Sequence, residues 1–201
     1  MSHFDSRADN WDGGDIRVNG AKTIANAIAK KIELTKDMDI MDFGVGTGLL
    51  GFEIAKITKK VYGVDTSTEM LKKLEEKNTP ELSIVAINQD ITSKALEQTF
   101  DGVVSSMTLH HVQDIDAFFH TLYKNINENG FIAIADLEPE DGTFHSDNAG
   151  VFHFGFEKEK LIKSVINAGF KDVVLENINT IKKPHCDFGV FLLSAKKSNM
   201  L

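Results

Sequence analysis

The stretch Met41-Asp42-Phe43-Gly44-Val45-Gly46-Thr47-Gly48-Leu49 constrains the fold of this chain more than any other. An apolar run from Ile40 to Phe43 stops at a loop with glycine at every second position, and a helix-like pattern follows from Leu49. Strand, tight loop and helix in that order make the first crossover of an open α/β sheet. Glycines at 44, 46 and 48 let the backbone turn sharply and leave no β-carbon in the way of a ligand. Two phosphate-binding readings fail on the residues. A dinucleotide fingerprint needs glycine where Leu49 stands. A P-loop needs Lys and Ser/Thr where Phe52 and Glu53 follow the Gly46 to Gly51 spacing. Asp42, at the mouth of the turn, would repel a pyrophosphate and attract a cation. Two unit charges ~4 Å apart interact by about 4 kcal/mol at an intermediate effective dielectric.

The chain around this loop alternates helix and strand. A helical face carrying Ala21, Ile24, Ala25, Ile28 and Ile32 runs from about Arg17 to Leu34, and Thr35-Lys36-Asp37 breaks it. The first strand covers 39–43 and a helix 49–57. The second strand, Val61 to Val64, ends in Asp65, and Thr66-Ser67-Thr68-Glu69 has the capping-box form that starts a helix through Met70, Leu71 and Leu74. An acidic residue at the end of the second strand of such a sheet lies where a ribose diol is gripped by two charge-assisted hydrogen bonds. Strand three, Ser83 to Ile87, leads to Asn88-Gln89-Asp90-Ile91 and a short helix near 93–97. Strand four is Phe100 to Ser105, followed by Ser106-Met107-Thr108-Leu109-His110-His111-Val112.

Asp114 opens an amphipathic helix with Ile115, Phe118, Phe119, Leu122 and Ile126 on one face, and Gly130 is the expected cap. Strand five, Phe131 to Leu137, is nearly all apolar, as a strand covered on both faces should be. Residues 138–155 lack a regular pattern but hold Phe144, His145, Phe152, His153 and Phe154. They read either as a substrate-facing loop or, through alternating Phe152, Phe154 and Phe156, as a short packed strand. A helix from Glu157 to Ala168 and strands near 172–178 and 187–195 finish the chain, with Lys182-Lys183-Pro184 as a solvated connection. Without a helix between them, that last pair should be antiparallel.

These ordered motifs resemble the class I S-adenosylmethionine-dependent methyltransferases, over about Phe4 to Lys196. The family's first motif reads much like Asp42-x-Gly44-x-Gly46-x-Gly48, and its fourth like Phe100-Asp101-Gly102-Val103 with the Leu109-His110-His111 turn. The resemblance implies a Rossmann-like α/β fold, a doubly wound, mostly parallel seven-stranded sheet with an antiparallel last strand. It places Asp90 against the adenine amino group, Ile91 on the ring, and backbone groups of Ser105 and Ser106 near the cofactor amine. The segment Phe4-Asp5-Ser6-Arg7-Ala8 with Trp11-Asp12 matches one that closes over the ligand in such enzymes; otherwise it is a frayed terminus with two docked rings. The implied cofactor-binding set is Trp11, Asp42, Gly44, Gly46, Gly48, Asp65, Thr66, Met70, Asp90, Ile91, Ser105 and Ser106.

The implied reaction moves the methyl group of S-adenosyl-L-methionine to a small-molecule acceptor and leaves S-adenosyl-L-homocysteine. One methyltransferase domain is expected over 1–201: flap and helix (1–35), cofactor core (36–137), acceptor-pocket loop (138–156), and helix with hairpin (157–201). Rival readings are a non-catalytic cofactor-binding or regulatory protein and a nicotinamide-dependent oxidoreductase, the latter weakened by Leu49. Adjacent His110 and His111 point in different directions and no acidic residue is spaced to complete a metal set, so no metal is expected. His111 and His153 are the candidates for a general base. A net charge of -8, from 30 acidic and 22 basic residues, argues against a nucleic-acid partner. Cys186 is the only cysteine, which excludes an intrachain disulfide. No secretory or membrane-spanning signal is read, so a cytoplasmic monomer or homodimer is expected.

Overall fold

The computed structural model describes residues 4–92 and 94–198. A 3-10 helix, Asp5–Gly13, precedes helix α1 (Asp15–Lys31). The order is then β1 (Asp39–Phe43), α2 (Leu49–Ala55), β2 (Lys60–Asp65), α3 (Thr68–Glu76) and β3 (Ile84–Asn88). It continues with β4 (Phe100–Ser106), α4 (Ile115–Lys124), β5 (Ile126–Leu137), α5 (Lys158–Asn167), β6 (Lys171–Lys182) and β7 (Asp187–Lys196). The strands make one seven-stranded sheet in the order β3-β2-β1-β4-β5-β7-β6. Strands β1 to β5 are mutually parallel, and β7 runs antiparallel to both β5 and β6. This is the doubly wound sheet with an antiparallel ending that the motifs imply. Among the described residues, no helix is long and apolar enough to cross a membrane.

Side chains alternate along a strand, so each central strand feeds two cores. Ile40 of β1 clusters with Ile24 and Ile28 of α1 and Leu50 and Ile54 of α2. Met41 and Phe43 cluster with Phe118, Phe119 and Leu122 of α4 and Leu161 and Val165 of α5. Phe118 and Phe119 are fully buried, and each such ring contributes about 1.5–3 kcal/mol relative to exposure. The Asp114 carboxylate starts α4 by accepting from the Ala117 amide at 2.9 Å. Strand β1 pairs β2 on one side and β4 on the other. The chain therefore leaves β1 in both directions, which opens a crevice at the carboxyl ends of these strands.

Local details differ from the sequence expectation for physical reasons. Helix α4 ends at Asn125, not Gly130. The Asn125 amide donates to Leu96 O at 2.9 Å and Gln98 O at 2.8 Å, which holds that segment extended; residues 94–97 form no helix, and Ser93 lies outside the described residues. Strand β5 accordingly begins at Ile126, opposite Phe100, and its register shifts before Phe131 pairs with Gly102. Asn129 takes a positive φ of 64° in the intervening bulge. Of Thr66 and Ser67, either of which could cap α3, Ser67 does so by accepting from the Met70 amide at 3.2 Å. Phe152, Phe154 and Phe156 form no strand: the first two rings are exposed and only Phe156 is buried.

Candidate functional site

The loop after β1 is tied to the end of β2. Gly44 and Val45 amides donate to Val64 O at 2.8 and 3.2 Å, and the Gly46 amide donates to Asp65 Oδ2 at 2.8 Å. The Gly48 amide turns back to Val45 O at 2.8 Å. A phosphate cradle needs such amides aimed at the ligand; here all four are committed to protein oxygens. Gly44, Gly46 and Gly48 all have positive φ (68°, 53° and 88°), the region that L side chains avoid. At Gly44 a β-carbon would also lie 2.2 Å from the Thr108 side chain, whereas at Gly46 the nearest atom is Trp11 Nε1 at 3.8 Å. Gly44 packs against the turn after β4, and Gly46 leaves open space.

That space is a cavity of about 770 Å³ at the carboxyl ends of β1, β2 and β4. Gly44, Gly46, Asp65, Thr66 and Met70 line it from the sheet and α3, and Asp90, Ile91 and Ser106 from the following loops. Trp11 lines it from the 3-10 helix, with the Arg17 guanidinium 4.5 Å from its ring. Two expected residues do not line it. Gly48 is the left-handed residue before α2, folded against the Phe52 ring. Ser105 is fully buried and donates to Phe43 O at 2.7 Å, joining β4 to β1.

Asp42 does line the cavity, yet it is buried behind the loop rather than standing at its mouth. Among the described residues its Oδ2 has no hydrogen-bond partner. Burial first, and the Asp65 carboxylate second, raise its pKa well above the usual range, opposed by the Gly51 amide. Asp65 is also raised by burial, while amides of Ser67, Gly46 and Thr66 pull it back down. Asp90 accepts from the Thr92 amide and hydroxyl at 2.8 and 2.6 Å, a turn that leaves the residue on the cavity wall.

The 3-10 helix is docked rather than frayed. Ser67 Oγ donates to Asp5 Oδ1 at 2.6 Å and Thr47 Oγ1 to Asp12 Oδ1 at 2.5 Å. Ion pairs Asp9–Lys73 (2.9 Å) and Asp12–Lys77 (2.7 Å) bind it to α3, and Arg7–Asp147 (3.6 Å) to the 138–155 segment.

The far wall holds groups whose pairing the sequence pattern does not express. His110 is buried, and its Nδ1 meets Asp136 Oδ1 of β5 at 2.7 Å. His111 Nδ1 meets Gly150 O at 2.7 Å, and its ring packs edge-on against Phe4. His145 Nε2 lies 3.1 Å from His110 Nε2. Burial, then the neighbouring His110 and His111, lower the His145 pKa to about 4. Lys182 is exposed, but Lys183 is half-covered: it bends over the Phe144 ring, donates to Phe144 O and lines the cavity. Burial lowers its pKa. His153 turns away from the cavity, with Nε2 on Val112 O at 2.9 Å and its ring against Phe156. Of the two base candidates, His111 is the one that lines the cavity. The missed residues had one sequence signal: Asp136 is a lone carboxylate in an apolar strand, and a buried carboxylate requires partners.

Residues 41–134 match the family model described as a methyltransferase domain. Over residues 41–134 the chain carries a methyltransferase domain, in the fold of the class I S-adenosylmethionine-dependent enzymes. An uncharacterized methyltransferase of Schizosaccharomyces pombe is 31% identical over 170 residues, covering 76% of this chain. The chain spans 58% of that relative's length. Among solved structures, the DhpI–SAH complex superposes with TM-score 0.77 at 15% identity, covering 98% of this chain and 95% of that one. A Haemonchus contortus phosphoethanolamine N-methyltransferase 2 in complex with S-adenosyl-L-methionine gives TM-score 0.70 at 17% identity, covering 99% of this chain and 61% of that one. At these identities the structural likeness speaks for the methyltransferase fold alone.

Proposed function

We propose that the chain binds S-adenosyl-L-methionine and transfers its methyl group to a small-molecule acceptor. One observation carries the reading: Asp42, the open loop at Gly46, Asp65 and Asp90 surround a single cavity of about 770 Å³. Small-molecule sites run from ~300 to 1,000 Å³. In this reading Asp65 takes the ribose diol, Asp90 and Ile91 the adenine, and the cationic end of the ligand neutralises Asp42. With the Gly44, Val45 and Gly46 amides committed to β2, the site is poorly suited to a pyrophosphate, which disfavours the nicotinamide reading. The acceptor would occupy the side of the cavity lined by Phe144, His145 and Lys183.

The cofactor supplies an activated methyl group, so the protein's tasks are to align it with the acceptor and to exclude water. An acceptor that is already nucleophilic needs no general base. The Haemonchus contortus relative methylates phosphoethanolamine by its printed name, which makes a small acceptor a reasonable class here. Calorimetric titration with S-adenosyl-L-methionine and, separately, NADH tests the cofactor. Saturable binding of the first and silence from the second is expected; the reverse pattern refutes the proposal. Release of S-adenosyl-L-homocysteine across a panel of small hydroxyl, amine and thiol compounds then identifies the acceptor, and binding without turnover across such a panel would favour a non-catalytic role.

A further inference from the structure

The geometry points to a site for one divalent transition-metal ion of the zinc class, held by His110, His111 and His145 on the cavity wall. Each side chain offers one nitrogen, and the three nitrogens lie within 4.8 Å of one another. Zinc–nitrogen bonds of about 2.0–2.1 Å at tetrahedral angles put two ligand nitrogens ~3.3 Å apart. The His110 Nε2 to His145 Nε2 separation is already 3.1 Å. The wider spacings close by side-chain rotation, for which His145, carried on the irregular 138–155 segment, is well placed.

The opposite ring nitrogens support the same assignment. A carbonyl oxygen only accepts, so His111 Nδ1 is the protonated nitrogen where it meets Gly150 O at 2.7 Å. The Asp136 carboxylate likewise takes the proton-bearing Nδ1 of His110 at 2.7 Å. In each neutral ring this leaves Nε2 with its lone pair, the tautomer a metal ligand requires. A carboxylate or carbonyl behind the imidazole is the usual support of a metal-bound histidine. Asp136 is itself fixed, because its oxygens also accept from the His110 and Leu137 amides at 3.2 and 2.7 Å.

All three histidines line the cavity, so a fourth coordination position would open into it. Three protein ligands with an open position are the pattern of a reactive rather than a structural zinc site. Imidazole nitrogens select zinc, nickel, copper or iron over magnesium and calcium. The open position would take water or an oxygen or sulfur donor from the molecule in the cavity. This assignment stands apart from the methyl-transfer reading, because metal uptake is measured without cofactor or acceptor.

The test uses the full chain without a polyhistidine tag, stripped with chelator and titrated with Co²⁺ and then Zn²⁺. One ion per chain is expected, with visible Co²⁺ absorption that Zn²⁺ abolishes. His145→Ala and His111→Ala should each weaken binding at least tenfold, and Asp136→Asn by about 10–100-fold. His185→Ala should leave it unchanged. In the unaltered protein, Zn²⁺ should shift the side-chain nitrogen resonances of these three histidines selectively, a readout that no folding defect can confuse. Absence of saturable binding at micromolar metal, or uptake unaltered by both histidine substitutions in folded protein, overturns the site. The 3.1 Å contact would then be a plain N–H···N hydrogen bond.

Discussion

The Gly46 amide donates to Asp65 Oδ2 at 2.8 Å, so the carboxylate that ends β2 also pins the glycine loop that follows β1. Its other oxygen accepts from the Ser67 amide at 2.8 Å, at the start of α3. One side chain thus joins loop, strand and helix at the rim of the cavity. Asp65→Ala is expected to weaken S-adenosyl-L-methionine binding by ~1.5–3 kcal/mol through loss of charged hydrogen bonds. Asp65→Asn should fall between, because the amide keeps one acceptor oxygen. Calorimetry on folded variants decides it: unchanged affinity in Asp65→Ala would remove the ribose role and leave Asp65 as a structural tie.

Asp42 makes a prediction of opposite sign for the empty protein. Its folded-state pKa is raised, by burial first and by Asp65 second. A carboxyl raised on folding contributes stability that is full below the unfolded value of about 3.9 and is lost as pH rises through the folded value. At neutral pH the empty site therefore bears the cost of burying this carboxyl group, either as a charge or by taking up a proton that the unfolded chain would not hold. Asp42→Asn should raise Tm near pH 7, with the gain shrinking as pH falls toward 4, while weakening cofactor binding. Thermal melts across that range check it, and a Tm difference independent of pH would show that the buried charge is not the cause.

The parts of this site legible in sequence are those set by short-range backbone rules. The strand–glycine–helix unit and Asp65 at the end of β2 follow from local geometry, so their positions could be read before any packing was known. The histidine set could not be read that way. His110 and His145 are 35 residues apart and meet only because β5 and the segment after it return to the turn following β4. Asp136 was visible as a carboxylate in an apolar strand, but its partner was not. Lys183 misleads for a related reason: a polar dipeptide beside proline reads as solvated, yet the Phe144 and Phe188 rings give this cation a face to lie on, at 4.1 and 5.6 Å. The α4 terminus turns on side-chain chemistry too, since the Asn125 amide bonds, not a glycine, end the helix.

Trp11 is the only tryptophan and lines the cavity, so its fluorescence reports on the docked 3-10 helix. That helix is held partly by surface ion pairs, Asp9–Lys73, Asp12–Lys77 and Arg7–Asp147. Screening shortens the reach of such charges from ~10 Å at 0.1 M salt to ~3 Å at 1 M. Raising NaCl toward about 1 M should red-shift Trp11 emission and increase quenching by acrylamide, and S-adenosyl-L-methionine should oppose both changes. Emission insensitive to salt and ligand alike would mean the segment is fixed by its hydroxyl–carboxylate bonds and does not open.

Gly44 and Gly46 separate the structural from the ligand-facing use of the same loop. Both have positive φ, so an alanine at either position incurs roughly 1–2 kcal/mol of backbone strain. At Gly46 that is nearly the whole penalty, because a β-carbon finds nothing closer than Trp11 Nε1 at 3.8 Å. Gly46→Ala should fold and lose cofactor affinity, since the methyl enters the space the ligand would occupy. At Gly44 the new β-carbon meets Thr108 Cγ2, Oγ1 and Cβ at 2.2, 2.3 and 2.6 Å, adding about 1–3 kcal/mol of overpacking. Thr108 is short and leads directly from Met107, itself at a positive φ of 58°, so it has little room to yield. Gly44→Ala should therefore be the less stable variant, and Thr108→Gly should recover part of that loss in the double variant while doing nothing for Gly46→Ala. Urea denaturation of the three single and two double variants measures both couplings. Equal losses at the two glycines, or no recovery with Thr108→Gly, would show that the turn after β4 does not restrain the loop.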